Sequence, residues 1–343
     1  MPFPKKILKF IEKYPTLSTI GNTPTAEINF PELKLGESKL FAKYEFLNPG
    51  GSIKDRPILR MLVDAILNNK LDENKTILDA TSGNAGIAYA MIGTTLNRKV
   101  ELVMPENASE ERKKRLIAHG AKLTFTDPLL GYDETIREVR RLYNNNPEKY
   151  FWCDQYSNLM NPLAHFETTA EELLNQVNDI THFVAGVGTG GTISGIGKKL
   201  KQHNSKIEII LINFDEWPGI EGLKSIGEGH YIPDTFDQSI VDSVIHVDIE
   251  NAAGISKLLA SKGLFVGGVT IVDEIKKSLN IFNKTVAGTE VELNIDGELT
   301  VKGDIKSTKV YISGTGDIDG TIKQKTLSID EGAKLKIKTE TSK

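Results

Sequence analysis

The stretch His182-Phe183-Val184-Ala185-Gly186-Val187-Gly188-Thr189-Gly190-Gly191-Thr192-Ile193-Ser194-Gly195 passes from a short apolar run, through a glycine-threonine loop, into a second apolar periodicity. A strand that ends in such a loop and feeds a helix is the junction at which open parallel sheets bind ligands. Glycine lets backbone N–H groups approach an anion closely, and threonine hydroxyls add donors, so a phosphate is the natural guest. The loop lacks the Gly-Lys-Ser/Thr ending of a P-loop, and its spacing is not that of a dinucleotide fingerprint. Outward from it the same grammar recurs. Thr76–Ala80, Val100–Met104, Lys122–Thr126, Phe151–Asp154, His182–Ala185 and Ile207–Asn213 read as strands, the second stopped by Pro105. Ser109–His119 reads as a helix: a serine start, acidic residues first, basic residues last, and Gly120 at its end. Strands separated by helices of this length predict a parallel α/β architecture.

Two more glycine-rich loops share the setting. In Asn48-Pro49-Gly50-Gly51-Ser52-Ile53-Lys54-Asp55-Arg56 a lysine follows a tight turn and opens a helix. The positive end of a helix dipole favours the neutral amine, which can form a Schiff base with an aldehyde. A solvated lysine after a loop fits the same residues. Ala80-Thr81-Ser82-Gly83-Asn84-Ala85-Gly86 follows a strand and precedes a helix. Its backbone N–H groups and the Thr81 and Ser82 hydroxyls suit a carboxylate, or serve as a plain helix cap.

Composition narrows the field. The 343 residues suffice for about two domains with an appendage. With 39% hydrophobic and 26% charged residues the chain reads as globular rather than disordered. A net charge of -4 supplies no field to hold nucleic acid or an anionic membrane. The single cysteine, Cys153, permits no internal disulfide and no Cys-rich zinc site, and no His cluster has ligand spacing, so no metal is assigned. Met1–Tyr14 reads as a Lys-rich amphipathic helix rather than a signal peptide, and the expected compartment is the cytoplasm.

Taken in order, Asn48–Arg56, Thr81–Gly86 and Gly188–Thr192 resemble the cysteine synthase and cystathionine β-synthase family of fold-type II, pyridoxal-phosphate-dependent enzymes. Ile20–Pro24, Met104–Asn107, Asn161-Pro162 with His165 and Thr168-Thr169, Ile226–Gly229 and Gly263–Gly268 extend the likeness over about four-fifths of the chain. The resemblance implies two open α/β domains with mostly parallel twisted sheets, as in the tryptophan synthase β chain. The large one would comprise residues 1–40 and 155–283, the small one residues 41–154, with the cofactor between them. It implies that Lys54 holds the cofactor as an aldimine and then moves the α-proton. Gly188, Thr189, Gly190, Gly191 and Thr192 would cradle the phosphate, and Asn84 would bond the 3′ oxygen. Thr81, Ser82 and Gln155 would hold the substrate carboxylate, and Gly227 would lie beside the substrate amine. The implied reaction is β-replacement on an O-activated L-serine through an aminoacrylate, giving L-cysteine or a related β-substituted alanine. Lys224 would meet the phosphate of an O-phosphoserine donor, or sit as a surface lysine. A homodimer is the family habit.

The likeness has gaps. Ala85 stands where many relatives carry threonine, one hydroxyl fewer in the carboxylate loop. After Gly267-Gly268-Val269-Thr270 the resemblance stops, and it assigns no partner for the cofactor's ring nitrogen unless Thr270 serves. Thr270–Phe282 reads as a last amphipathic helix. From residue 284 to 343 short alternating runs such as Val291-Leu293-Ile295 and Val310-Ile312 are punctuated by Gly and Asp, predicting an all-β tail. The tail weakly resembles a bactofilin-type β-solenoid, which implies assembly between chains; an antiparallel meander fits the runs equally. A non-catalytic scaffold that kept the fold is the alternative to an enzyme.

Overall fold

The computed structural model describes residues 3–33, 35–36, 38–81, 83–214, 220, 222–227 and 232–264, and tail strands at 286–302, 305–319, 321–324, 326–329 and 338–341. The chain divides into two units, Met1–Ile271 and Val272–Lys343. The expected helix Thr270–Phe282 lies outside the described residues, as do Ser82 and Thr270.

In the first unit, strands β1 (Thr25–Glu27) and β2 (Phe41–Lys43) form a small antiparallel pair. Helix α2 spans Asp55–Leu67. Then β3 (Thr76–Ala80), β4 (Val100–Pro105), β5 (Lys122–Thr126) and β6 (Tyr150–Trp152) make a parallel sheet in the order β5-β4-β3-β6. Helices α3 (Asn84–Thr95), α4 (Glu110–Ala118) and α5 (Gly131–Asn145) connect them. All five residues of β3 are buried, because helices cover both faces. Alternation sorts its side chains. Ile77 joins one core with α2, α3 and the N-terminal residues Ile7, Ile11, Leu17 and Ile20. Leu78 and Ala80 face the other way, onto Val139 and Ile136 of α5. Helix α4 starts on Ser109, whose hydroxyl accepts from the Arg112 N–H, as its sequence predicts.

Helices α6 (Met160–Glu167) and α7 (Thr169–Gln176) lead to a second parallel sheet. Its order is β7 (His182–Gly186), β8 (Glu208–Asn213), β9 (Ser243–His246), with α8 (Gly191–His203) and α9 (Ile249–Ser261) packed on it. Ile209 and Leu211 of β8 pack on Ile193, Ile196 and Leu200 of α8. Ile210 and Ile212 point to the opposite core, with Val247 and Ala252. Both glycine loops therefore sit where sequence placed them, at the carboxyl ends of β3 and β7. The predicted strand Phe151–Asp154 is shorter than expected, Tyr150–Trp152. Asp154 takes a positive φ of 49° and turns the chain out of the sheet.

In the second unit, strands β10 (Val286–Lys302), β11 (Ile305–Asp319), β12 (Thr321–Gln324), β13 (Thr326–Ile329) and β14 (Lys338–Thr341) pair in parallel. Val286 pairs with Ile305, Ile305 with Ile322, and Ile322 with Thr339. Successive turns of chain thus lie one above another, which a meander does not do. Among the described residues no helix is long and apolar enough to cross a membrane.

Candidate active site

Lys54 stands at the N-cap of α2, at the end of a loop whose every bend has a partner. The Asn48 side chain accepts from Gly21 N–H at 2.8 Å and donates to the Glu45 carbonyl at 2.8 Å. Gly51 takes φ +85°, which only glycine adopts without strain, and its N–H donates back to the Asn48 carbonyl at 2.7 Å. Gly50 N–H donates to Asp55 at 2.5 Å; a Cβ on Gly50 would lie 2.2 Å from Asp55 Oδ1. Burial raises the Asp55 carboxyl to about 6. Burial alone lowers the Lys54 pKa. That favours the neutral amine, for a reason added to the helix dipole read from sequence.

Arg56 locks this loop to the rest of the unit. Its guanidinium is fully buried and forks onto two carboxylates, Glu45 at 2.7 Å and Glu172 at 2.7 and 2.8 Å. It also donates to the Thr23 and Thr168 hydroxyls. Glu172 further accepts from Lys43 at 2.7 Å and from Asn22 N–H at 2.8 Å. Burial opposes its ionisation, but Arg56 and Lys43 outweigh it and hold Glu172 at about 2. The family-like stretches Ile20–Pro24, Asn48–Arg56 and Thr168-Thr169 are thus three sides of one network.

The loop from β7 into α8 has no room for side chains. A Cβ on Gly188 would lie 2.7 Å from the Gly222 carbonyl oxygen and 3.9 Å from Lys54 Nζ. Gly190 has φ +85°, and a Cβ there would meet the Phe236 backbone at 2.7 Å. A Cβ on Gly191 would meet Asn161 at 2.1 Å. The Thr189 hydroxyl accepts from Asn161 Nδ2 at 2.9 Å. The Thr192 hydroxyl lies 3.4 Å from His165 Nε2, and His165 Nδ1 lies 3.0 Å from the Thr169 hydroxyl. Burial, with Arg56 and Lys54 nearby, holds His165 well below its usual pKa, so it is neutral at pH 7.

Thr81 is buried, and its hydroxyl accepts from Gly83 N–H at 3.1 Å and Gly86 N–H at 2.8 Å. It shapes the loop from inside, a structural use the carboxylate role does not require. Asn84 opens α3 and is exposed. Gln155 is buried and donates from Nε2 to the Ala80 carbonyl at 2.9 Å, which sets it beside the same loop. Gly227 is exposed in a bend, and Asn213 pins Ile226 just before it with bonds of 2.8 and 2.9 Å. Lys224 is no plain surface lysine. Its ammonium lies 5.6 Å from the Tyr132 ring centre and 5.3 Å from that of Tyr156, and burial lowers its pKa. Its backbone N–H donates to the Val187 carbonyl at 2.6 Å, in the loop between β7 and α8.

The profile of the "Pyridoxal-phosphate dependent enzyme" family matches residues 16–272. The chain belongs to that family. A cysteine synthase of Aquifex aeolicus is 48% identical over 257 residues, 73% of this chain and 78% of the relative. Among solved structures, a hydrogen sulfide-producing enzyme of Fusobacterium nucleatum matches with TM-score 0.69 and 34% identity, over 77% of this chain and 91% of its own. An O-ureido-L-serine synthase matches with TM-score 0.69 and 31% identity, over 78% of this chain and 85% of its own. The chain is therefore an enzyme, with pyridoxal phosphate as its cofactor and the fold-type II α/β architecture. Its residues fit that group. The glycine cradle at Gly188, Gly190 and Gly191 leads into α8, whose N-terminal N–H groups and dipole suit a phosphate, and an amine whose pKa burial lowers stands beside it. The sequence reading missed the bond from Arg56 to Glu172, 116 positions away, and that from Asp79 to Gln155, 76 positions away, because partners so far along the chain leave no local pattern.

Proposed function

We propose that this enzyme carries out β-replacement on an O-activated L-serine, with Lys54 as its proton-moving residue and L-cysteine or a related β-substituted alanine as product. The observation that carries the reading is the Lys54 amine, partly buried, lowered in pKa by that burial and set beside Gly188 of the glycine-threonine loop. When bound, pyridoxal phosphate supplies an aldehyde for an amine and a ring that accepts electron density from the substrate Cα. Lys54, whose burial favours the neutral amine, takes the proton from Cα at Nζ and returns it after the nucleophile has added. Gly188, Thr189, Gly190, Gly191 and Thr192 bind the phosphate. Asn84 orients the 3′ oxygen. Gln155 and Ser82 bind the substrate carboxylate on a loop that Thr81 braces, and Gly227 borders the amine. The sheet of β3–β6 serves as the core of the small domain, and the sheet of β7–β9 as the core of the large one.

Lys224 selects the donor. Its partly desolvated ammonium between two tyrosine rings suits a phosphate leaving group better than an acetyl ester. The test is a titration of the holoenzyme, followed in the visible band, with O-acetylserine and with O-phosphoserine. A charge-assisted bond contributes about 1.5–3 kcal/mol, so Lys224→Met raises KM for O-phosphoserine by about 10–100-fold and spares O-acetylserine. Equal effects on both donors would remove Lys224 from donor recognition. A band that answers neither donor would overturn the β-replacement reading.

We place the enzyme in the cytoplasm as a homodimer, a reading supported by family habit. The tail adds contacts between copies, supported by a parallel ladder whose described order ends at β10 and β14, each with one edge for pairing. Sedimentation equilibrium of the full chain tests both: a dimer with a concentration-dependent series of larger species is expected. A monomer would refute the dimer, and a dimer without larger species would refute the tail contact.

A further inference from the structure

Asp79 is a buried carboxyl that the reaction does not use. It sits on β3, two residues before Thr81, and is 2% exposed. Three donors converge on its two oxygens. Oδ1 accepts from Ala80 N–H at 2.8 Å, and Oδ2 accepts from the Tyr89 hydroxyl and from Gln155 N–H at 3.3 Å. Gln155 in turn donates from Nε2 to the Ala80 carbonyl at 2.9 Å. Its own carbonyl accepts from Asn161 Nδ2 at 2.7 Å, and the same Nδ2 reaches the Thr189 hydroxyl at 2.9 Å. An unbroken chain of bonds therefore runs from α3 through Asp79 and Gln155 to the phosphate loop.

We propose that Asp79 is a positioning residue for the substrate carboxylate, acting through the Gln155 backbone. The inference rests on the β-replacement reading, which puts the carboxylate against Gln155. An apolar residue in this place would avoid the desolvation of a buried acid, so packing gives no reason for it. Three converging donors do. Asparagine offers one oxygen, and its NH2 would face an N–H or hydroxyl hydrogen. Protonation likewise turns one accepting site into a donor. Burial is the main reason the carboxyl is pushed up to about 7, with Asp154 adding to it and the Tyr89 hydroxyl opposing it. Cys153, which follows β6, and Tyr132 of α5 are the other titratable groups that feel Asp79. As pH falls through about 7, Asp79 gains a proton, Gln155 loosens, and the carboxylate binds less well.

Propionate tests this by calorimetric titration of the holoenzyme, because it carries the carboxylate without an amine and stays ionised from pH 6 to 8. The expected Kd rises several-fold in the wild type from pH 8 to pH 6. In Asp79→Asn it stays at the weak value throughout, with the visible cofactor band unchanged. Tyr89→Phe removes a bond that favours the ionised acid, so it keeps the pH dependence and moves its midpoint up. An Asp79→Asn curve that matches the wild type would overturn the proposal, as would a Tyr89→Phe curve with an unmoved midpoint. The second variant decides the matter should Asp79→Asn fail to fold. Absence of propionate binding to the wild type at any pH would overturn the carboxylate site itself, and this inference with it.

Discussion

Turnover falls by about a thousandfold or more when Lys54 is replaced by alanine, while the fold stands unchanged. Positioned proton transfer contributes about 10²–10⁴-fold, and this variant also removes the amine that anchors the cofactor. Lys54 burial costs free energy, as the lowering of its pKa by desolvation shows. Alanine removes that cost, so the melting temperature holds or rises. Steady-state kcat/KM with donor and sulfide, beside the far-ultraviolet dichroism, checks both halves. Partial rescue by an added primary amine separates lost chemistry from lost structure. A variant that keeps more than a tenth of the wild-type rate would take proton transfer away from Lys54.

The largest expected loss of stability belongs to Arg56→Leu, at about 3–5 kcal/mol. Removing one partner of a buried ion cluster strands the others in a poor solvent, and here Glu45 and Glu172 are stranded together. For a unit of this size that corresponds to a fall of about 10 °C in melting temperature. Urea unfolding of wild type and variant reads it directly. Adding Glu45→Gln to the arginine variant recovers part of the loss, because Glu172 keeps Lys43 as its partner and the second carboxylate is no longer charged. A loss below about 1 kcal/mol would mean that water reaches the cluster. The sign with pH follows from Glu172, whose carboxyl drops from 4.5 unfolded to about 2 folded. Between those values the unfolded chain binds the extra proton. The stabilisation is therefore complete above about 4.5 and is lost as pH falls toward 2. Arg56→Leu flattens this acid limb.

Much of the fold was legible because burial on both faces leaves a plain trace. Thr76–Ala80, buried throughout, was bounded to the residue, and so was the more exposed edge strand Lys122–Thr126, because turn formers flank its β-branched run. Strand β9, Ser243–His246, was not seen. It pairs with β8 alone and alternates half-buried with exposed residues, so it carries no apolar run. At the site, the glycine loops announced themselves because backbone must come close to an anion. The Arg56 cluster did not, since an arginine meets a glutamate 116 positions away and no local period records that. Asp79 was hidden inside an apolar strand, and only its three donors give it meaning. The Thr81 hydroxyl read as a ligand or as a cap, and in the fold it accepts from the Gly83 and Gly86 N–H groups.

The same cluster sets a timetable for the newborn chain. Ribosomes add about 5–20 residues per second, so Glu172 follows Arg56 by about 6–23 s. Until then the loop that carries Lys54 has lost its clamp, and Arg56 and Glu45 stand in water as ordinary surface charges. The clamp on the loop that carries Lys54 closes only when the chain has grown into α7, which brings Glu172 to Arg56.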